Sequence, residues 1–183
     1  MGDEFFFDLF AALVEHGRHI AVNLDVWGGD LRSNHHLADV LGLLYLGLCL
    51  PESGQAAAWR TRALDAVVRE IDSQVLADGV DFQSSVPYHR LVTEMFLSAA
   101  GLCRHHAVPL PPAFWRRLSK MLDFAMACTK PNGLAPQVGE ADDGRLHVLS
   151  RCGAADPRDH RHLPAVGAML LGREDWWAAA GPA

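Results

Sequence analysis

Apolar residues recur every three or four positions along almost the whole of this sequence, and this spacing strongly restricts how the chain can fold. The pattern follows the turn of an α-helix, so that one face of each segment is apolar and the other is polar. The alternation of apolar and polar residues that marks a half-buried strand is nearly absent. We therefore predict an all-α fold built from antiparallel α/α hairpins.

Glycine, proline and capping residues between the apolar runs set the predicted helix ends. A chain of 183 residues, 50% of them hydrophobic, can bury a substantial core, so residues 1–183 are predicted to form a single helical domain. One short strand is predicted at the letters RLHVLS, residues 145–150. The predicted helices cover residues 3–23, 33–50, 55–77, 87–106, 112–129 and 160–171, with a weak helical segment around residues 176 and 177.

The lengths of the connections predict where a site would lie. Helices joined by short loops normally run antiparallel, and the connections at 50–54 and 107–111 are short. Those at 24–32, 78–86 and 130–158 are longer and rich in polar residues and glycine. If the helices alternate in direction, the three long connections and the starts of the second and fourth helices fall at one end of the bundle. That end is the candidate functional end.

Charge and hydropathy exclude several classes of partner. The formal net charge of -6 provides no basic surface for nucleic acid. No apolar run approaches the roughly 18 residues that a membrane span requires. The opening letters MGDEFFFDLF carry acidic residues where a signal peptide needs basic ones. We therefore expect no nucleic-acid partner, no membrane span and a cytoplasmic location for the sequence as written, or a periplasmic or secreted one if it is part of a longer chain.

Polar residues are concentrated at two predicted helix starts. The letters SNHH place Asn34 and His35 in the first turn of the second helix, and PYHR places Tyr88, His89 and Arg90 in the first turn of the fourth. Free backbone N–H groups and a partial positive charge make a helix start favourable for an anion. Taken singly, Asn34 is more often a solvated residue after a cap, and Tyr88 is more often half-buried in a core. Together they predict a site for an anionic sugar.

Metal binding is the rival use of the ten histidines. His105 and His106 are adjacent at a helix end, and the letters DPRDHRH contain Asp159, His160 and His162. Neither group has the histidine pair at i and i+4 that helical zinc sites use. We therefore predict no metal site in this chain and interpret these residues as solvated helix ends.

Three segments, in this order, resemble the heparinase II/III-like polysaccharide lyase family. They are SNHHLADVLGLLYLGL at 33–48, QVLADGVDFQSSVPYHRLVTEMFL at 74–97 and NGLAPQVGEADDGRL at 132–146. The resemblance covers roughly residues 20–172. It implies an α/α toroid of paired helices followed by a β-sandwich. The helices predicted here are similar to part of that toroid, which would be incomplete, and we expect the C-terminal β-sandwich to be absent.

The resemblance implies β-elimination on a uronic-acid-containing polysaccharide. This reaction needs neutralisation of the C5 carboxylate, a base for the neighbouring proton and an acid for the leaving O4. By resemblance, Asn34 would hydrogen-bond the carboxylate, and His35 would neutralise it or act as the base. Tyr88 would be both base and acid, or the acid alone, depending on the stereochemistry of the substrate.

The same segments supply four substrate-binding candidates. These are His89 and Arg90, which could also support the catalytic residues, together with Gln83 and Arg145. The sequence departs from the family pattern at Gln83, where the family often has glutamate, and at Glu140, where it often has aspartate. These departures affect the expected subsite contacts rather than the central chemistry.

The resemblance also sets expectations about activity and partners. Because the β-sandwich would contribute a further catalytic histidine, we expect the chain to be inactive as an isolated fragment. No cofactor is expected in this chain, since any metal would belong to the β-sandwich. The expected partner is an anionic polysaccharide or oligosaccharide, with self-association through the flank that a truncated toroid leaves open. The alternative function is a non-catalytic carbohydrate-binding or assembly module in polysaccharide metabolism.

Overall fold

The structure is a computed structural model that describes residues 2–26, 32–141, 144–147 and 156–180. Within these ranges there is no strand beyond two isolated bridging pairs, so the all-α prediction is confirmed. None of the helices described is long and apolar enough to cross a bilayer. The seven helices in these ranges are α1 Asp3–Val22, α2 Asn34–Cys49, α3 Ala56–Gln74, α4 Val86–His105, α5 Pro112–Cys128, α6 His162–Leu171 and α7 Glu174–Ala180.

Helices α1 and α2 pack together in the first of two compact units, residues 1–69. A Cβ added to Gly17 would lie 3.0 Å from the Leu46 side chain, and one added to Gly42 would lie 3.4 Å from Ile20. The contact position on α2 moves back along the chain as the position on α1 moves forward. The two helices are therefore antiparallel, as the predicted hairpin requires.

The apolar face of α1 is largely exposed. Its phenylalanines keep about half or more of their surface open: Phe5 49%, Phe6 46%, Phe7 75% and Phe10 51%. Within this helix Gly17 is the buried residue. Such a concentration of exposed aromatic surface is typical of an interaction surface. The self-association expected from the sequence stays a prediction.

The second compact unit, residues 70–183, contains the hairpin of α4 and α5. The His89 and Phe124 ring centroids lie 4.7 Å apart, and those of Phe96 and Phe114 lie 6.0 Å apart. The order of these contacts shows that α4 and α5 are antiparallel. Both aromatic pairs meet edge to face, which is a favourable packing geometry. The predicted hairpin is confirmed here.

Helices α6 and α7 close against α5 around one glycine. A Cβ at Gly167 would lie 2.6 Å from Leu122 and 3.2 Å from Trp176, so only glycine lets the two side chains approach this part of α6. Trp176 is fully buried, and its indole Nε1 donates a hydrogen bond to Asp123 at 3.2 Å. The weak terminal segment of the sequence is therefore a packed helix, because its tryptophan supplies a large buried surface.

Helix α3 ends at Gln74, three residues before the predicted end at 77. The chain turns sharply there: the Leu76 N–H donates to the Val80 carbonyl at 2.8 Å, and the Phe82 N–H donates to the Gln74 carbonyl at 2.9 Å. These bonds divert the backbone groups that would have continued the helix. The structure thereby fixes the approach to α4 as a tight turn.

Two further boundaries differ from the prediction. Helix α6 begins at His162 rather than at residue 160, because the Asp159 carboxylate accepts a hydrogen bond from the Arg161 N–H at 3.1 Å and forms a turn first. Residues 145–147 form no strand, and 148–150, the rest of the predicted strand, lie outside the described residues.

Gly79 in the turn before α4 should not tolerate a side chain. Its φ is +98°, and an added Cβ would lie 2.5 Å from the carbonyl oxygen of Lys120. We expect Gly79→Ala to lower the free energy of unfolding by about 2 kcal/mol or more, since both backbone strain and the clash oppose it. Denaturant unfolding monitored by circular dichroism measures this loss.

Gly101 provides the matched control, because an added Cβ there meets nothing within 4 Å inside α4. Gly101→Ala should stabilise the protein by about 0.5–1 kcal/mol, since alanine favours the helix more than glycine does. Equal effects of the two substitutions would contradict the strained geometry at Gly79.

Candidate functional site

The start of α2 is a capped helix terminus in the first unit. The Ser33 hydroxyl accepts a hydrogen bond from the His35 N–H at 3.2 Å, which satisfies one of the free donors of the first turn. Asn34 is 6% exposed, whereas the His35 side chain is 68% exposed. The two predicted catalytic residues of this turn therefore differ strongly in their access to solvent.

The His35 ring is oriented by a neighbouring carboxylate. Its Nδ1 lies 3.2 Å from Oδ2 of Asp25, and the Asp25 N–H donates to Oδ2 of Asp39 at 2.8 Å. Asp39 thus fixes the segment before α2, and Asp25 fixes the ring. In the neutral imidazole, a proton on Nδ1 would leave Nε2 as a hydrogen-bond acceptor. Asp25 is a support residue that the sequence did not indicate.

The start of α4, in the second unit, is capped by Ser85. Its hydroxyl accepts a hydrogen bond from the Tyr88 N–H at 3.3 Å, and Pro87 occupies the first turn, where no N–H is needed. Ser84 adopts a left-handed backbone, with φ of +58°. Tyr88 is half-buried. The helix starts one residue before the predicted Pro87 and holds Tyr88 in its first turn.

A connection after α5 covers this helix start. We call it the covering loop, of which residues 138–141 and 144–147 are described. The Val86 N–H donates to the Val138 carbonyl at 3.0 Å, and the Ser85 hydroxyl donates to the Glu140 carbonyl at 2.5 Å. Two of the long connections therefore meet at the start of α4, as loop lengths predicted.

Arg90 and Glu94 attach the covering loop to the next turns of α4. The Arg90 guanidinium donates to Glu94 at 2.8 Å and to the Gly144 carbonyl at 2.5 Å. Glu94 accepts a further hydrogen bond from the Leu146 N–H at 2.9 Å. Arg90 is 1% exposed and Glu94 is 6% exposed. The guanidinium that the sequence placed among the substrate contacts is thus buried and bonded to protein groups.

His162, the first residue of α6, completes this cluster. Its Nε2 lies 2.8 Å from Oε1 of Glu94, and its side chain is 28% exposed. Burial opposes ionisation of Glu94, but hydrogen bonds from His162 and Leu146, together with Arg90, hold its pKa below the usual value. Glu94 is therefore a carboxylate that joins α4, α6 and the covering loop.

His89 faces the interior of the second unit. Its Nδ1 accepts a hydrogen bond from the Asp81 N–H at 3.2 Å, which assigns the proton to Nε2, and Nε2 donates to the Met121 carbonyl at 3.0 Å. Burial lowers the pKa of His89 to about 4. The neutral ring thus links the turn before α4 to helix α5 through hydrogen bonds. Sequence spacing could not show this, because its partners are backbone groups.

Two other buried groups near α4 have strongly shifted pKa values. Burial raises the pKa of Asp81 to about 7, although the N–H groups of Gln83 and Phe82 oppose the shift. Its Oδ1 makes no hydrogen bond to any residue that the structure describes. Burial, with Arg90 nearby, lowers the pKa of His160 to about 4. Asp81 is therefore protonated and His160 neutral over much of the mildly acidic range.

The remaining predicted substrate contacts lie at the edges of this region. Gln83 is half-buried, and its N–H donates to Asp81 at 3.3 Å. Arg145, in the covering loop, is half-buried and donates to the Asp156 carbonyl at 3.2 Å. Tyr88 thus lies at the capped start of α4, and Arg145 lies in the covering loop that hydrogen-bonds this helix. Their assignment to substrate stays a prediction.

Sequence reasoning missed the role of Glu94 and gave His162 a different one. Glu94 lies four residues after Arg90, and this is the spacing of an ion pair on a helix. That spacing was the sequence signal for the role of Glu94. His160 and His162 were interpreted as a solvated helix end, but His160 is 4% exposed and His162 is bonded to Glu94, so that interpretation is wrong for His160 and incomplete for His162. Among the residues that the structure describes, no group of three or more His, Cys, Asp or Glu side chains is arranged to hold a metal ion.

Comparison with known proteins gives consistent matches. The sequence model of the family described as Heparinase II/III N-terminus matches residues 1–153. A heparin-sulfate lyase of Bacteroides stercoris is 28% identical over 131 residues, which is 70% of this chain and 19% of that protein. A heparin-sulfate lyase of Pedobacter heparinus is 26% identical over 112 residues, or 60% of this chain and 17% of that protein. The chain thus spans about a fifth of the length of these relatives.

Solved structures match the fold over nearly the whole chain. A heparinase III, the BT4657 gene product, superposes with a TM-score of 0.73 at 22% identity and covers 96% of this chain and 26% of its own. The heparan sulfate lyase HepC from Pedobacter heparinus superposes with a TM-score of 0.70 at 18% identity, over 97% of this chain and 26% of its own. At these identities the likeness establishes the helical fold.

Proposed function

Because the chain belongs to the heparinase II/III N-terminus family, we propose that it acts in the β-elimination of a uronic-acid-containing polysaccharide. The two relatives described above are named heparin-sulfate lyases, which supports a sulfated, uronic-acid-containing chain as the substrate class. Since this chain corresponds to about a fifth of each relative, the activity of the whole enzyme is part of the proposal.

The proposed reaction has a defined balance of bonds and protons. A base removes the proton on C5, the C5–H electron pair forms a C4=C5 double bond, and the C4–O4 bond breaks. An acid then supplies the proton that the leaving O4 needs. Neutralising the C5 carboxylate makes the C5 proton acidic enough for this step. The chain therefore has to provide a carboxylate partner, a base and an acid.

We assign the carboxylate to the start of α2. Asn34 donates a hydrogen bond to it from its amide, and His35 neutralises it as an imidazolium or removes the C5 proton as a neutral base. The contact at 3.2 Å between His35 Nδ1 and the Asp25 carboxylate supports this assignment, because it fixes the ring and leaves Nε2 for the substrate. Free N–H groups in the first turn add a favourable field for an anion.

The geometry at the start of α4 is the main support for the proposed function. Tyr88 stands on a turn that is capped by Ser85 and covered by a loop that hydrogen-bonds Ser85 and Val86. A phenol held in such a turn can act as an acid for O4 and, as the phenolate, as a base for the C5 proton. A fixed backbone reduces the entropy lost when a catalytic group is aligned with its substrate.

We propose that His89 and Arg90 act as positioning residues. Both are nearly fully buried, at 2% and 1% exposure. His89 bonds to the Asp81 N–H and the Met121 carbonyl, and Arg90 bonds to Glu94 and the Gly144 carbonyl. Gln83 and Arg145 remain the proposed substrate contacts in this unit. In this assignment His89 and Arg90 hold the start of α4 and the covering loop in place. The half-buried side chains of Gln83 and Arg145 contact the sugar.

Tyr88→Phe tests the function. If Tyr88 moves the proton, this substitution should reduce the rate of unsaturated-uronate formation about 100-fold or more, since it removes a general acid or base and little else. Because the isolated chain is expected to be inactive, product is measured by ultraviolet absorbance with heparan sulfate after the chain is joined to the remaining toroid and β-sandwich that the family implies. Oligosaccharide binding is measured in parallel by calorimetry. Binding by Tyr88→Phe should stay within a few-fold of the unsubstituted chain.

Tyr45 is the other tyrosine of the chain and provides the matched control. Tyr45→Phe on α2 should leave the product rate unchanged. Equal rates for the unsubstituted chain and Tyr88→Phe would remove Tyr88 from the mechanism. Binding without product even when the remaining portions are supplied would favour the carbohydrate-binding alternative, and neither binding nor product under those conditions would contradict both functions.

A further inference from the structure

A basic hollow lies beside helix α5, away from the residues assigned above. Its volume is about 370 Å³. It faces the first half of α5 and the end of α3, both in the second unit. The lining residues are Asp72, Ala77, Ala113, Arg116, Arg117 and Lys120.

Four of these residues share one helical face. Ala113, Arg116, Arg117 and Lys120 follow the spacing i, i+3, i+4 and i+7, which places them in one stripe along α5. Three of the four are cationic. A single carboxylate, that of Asp72, lines the hollow against them. The stripe is therefore locally positive in a chain whose formal net charge is -6.

Backbone carbonyls in the turn that follows α3 fix two of the cations. The Arg117 guanidinium donates to the Leu76 carbonyl at 2.9 Å, and the Lys120 ammonium donates to the Ala77 carbonyl at 2.6 Å. Each group has further N–H donors beyond these bonds. Because their side chains are already held, binding an anion would cost little additional side-chain entropy.

The third cation is open to solvent. Arg116 is exposed, and its guanidinium has no hydrogen-bond or ion-pair partner among the residues that the structure describes. The Asp72 carboxylate lies 3.5 Å from Arg117, which is a long contact, and Asp72 is 60% exposed. Such a pair is weak in water and does not neutralise the hollow.

We propose that this hollow is a second binding site for an anionic polysaccharide, which holds sulfate or carboxylate groups of the chain outside the proposed reaction site. Guanidinium groups match the planar carboxylate and the oxygen edges of sulfate, and a row of cations along a helix matches a row of anions along a sugar chain. The ligand class rests on the proposed function, whereas the site itself rests on the hollow and its cations.

The position of the hollow also suits an extended ligand. Lys120 packs against Gly79 in the turn before α4, and the neighbouring Met121 carbonyl accepts a hydrogen bond from His89 on α4. The hollow therefore adjoins the turn that leads into the Tyr88 helix start. A polysaccharide held in the hollow is tethered close to that turn, which raises its local concentration there.

Arg116→Glu tests the site with little risk to the fold, since Arg116 has no described partner to lose. The matched control is Arg60→Glu, which reverses another exposed arginine, lies outside the hollow and changes the net charge equally. Heparan sulfate oligosaccharides, sulfated and chemically desulfated, are titrated by calorimetry at several salt concentrations. We expect Arg116→Glu to weaken binding about fivefold to tenfold more than Arg60→Glu, with a smaller salt dependence.

Lys120→Met is a second test variant and should also weaken binding of the oligosaccharide. Because this variant loses the hydrogen bond to the Ala77 carbonyl, thermal unfolding is measured to check that it is folded. A loss confined to the sulfated ligand identifies sulfate as the bound group, and a loss for both ligands identifies the carboxylate. Equal affinities of Arg116→Glu and Arg60→Glu, or no binding by the unsubstituted chain, would overturn the proposal. Tyr88→Phe should retain the hollow's contribution to binding, so loss of catalysis and loss of this site are separate outcomes.

Discussion

Glu94→Ala is expected to destabilise the protein by about 3–5 kcal/mol, because it leaves the buried Arg90 guanidinium without its carboxylate. Arg90 is 1% exposed, so water cannot replace the lost partner. The Leu146 N–H and His162 would lose their acceptor at the same time. Denaturant unfolding gives the loss as a shift of the midpoint at constant slope.

Two further variants separate charge from geometry. Glu94→Gln keeps an oxygen for the Leu146 N–H but removes the charge, so its loss should be intermediate. Glu15→Ala removes the carboxylate of an exposed pair with Arg18, in which the side chains are 66% and 52% exposed, and should leave the midpoint nearly unchanged. Similar losses for Glu94→Ala and Glu15→Ala would contradict the buried network described here.

Stability should increase with pH between about 4 and 6.5 by about 3 kcal/mol in total. His89 and His160 have pKa values lowered from 6.5 to about 4 by burial. In this range the unfolded chain binds both protons and the folded chain binds neither, so each histidine favours folding by about 1.4 kcal/mol more per pH unit gained. Their contribution is complete above pH 6.5 and is lost as the pH falls towards 4.

Asp81 acts in the opposite direction and halves the slope that the two histidines alone would give, and the total of about 3 kcal/mol already includes its effect. Its pKa is raised from 3.8 to about 7, so the folded chain keeps a proton that the unfolded chain releases, and its contribution is lost as the pH rises through 7. Asp81 thus cancels the effect of one histidine, and the free energy of unfolding changes with pH as expected for the uptake of a single proton on unfolding. Chemical denaturation at half-unit pH steps measures the profile.

Substitutions at these groups change the slope in predictable ways. His160→Gln should give a nearly flat profile between pH 4 and 6.5, because His89 and Asp81 then cancel. Asp81→Asn should make the increase about twice as steep, because both histidines then act without opposition. A profile of the unsubstituted chain that falls with rising pH in this range would contradict the assignment.

The sequence was sufficient for the helices and for the pairing of α4 with α5, because both depend on local periodicity and short connections. It placed Tyr88 correctly in a first helical turn, since Ser85 and Pro87 are strong start signals. The end of α3 was placed too late because the turn at 75–82 is formed by backbone hydrogen bonds, which side-chain patterns do not reveal.

The environments of His89 and Arg90 could not be read from the sequence. Their partners include the Met121 and Gly144 carbonyls, which lie 32 and 54 positions further along the chain. The polar residues in the first turn of α4 were therefore predicted to face the substrate, whereas His89 and Arg90 are buried. For Arg90, the glutamate four residues later indicated an ion pair, but not its burial.

The covering loop is held to α4 largely through its main chain. The Val138, Glu140 and Gly144 carbonyls and the Leu146 N–H bond to the helix or its cap, and the His147 side chain adds a hydrogen bond between its Nε2 and the Ser98 hydroxyl at 2.9 Å. Since these groups are common to nearly all amino acids, side chains such as those of Glu140 and Arg145 can be exchanged while the attachment persists. Substrate preference could therefore diverge among related proteins, or be redesigned by library selection at these positions, without rebuilding the scaffold.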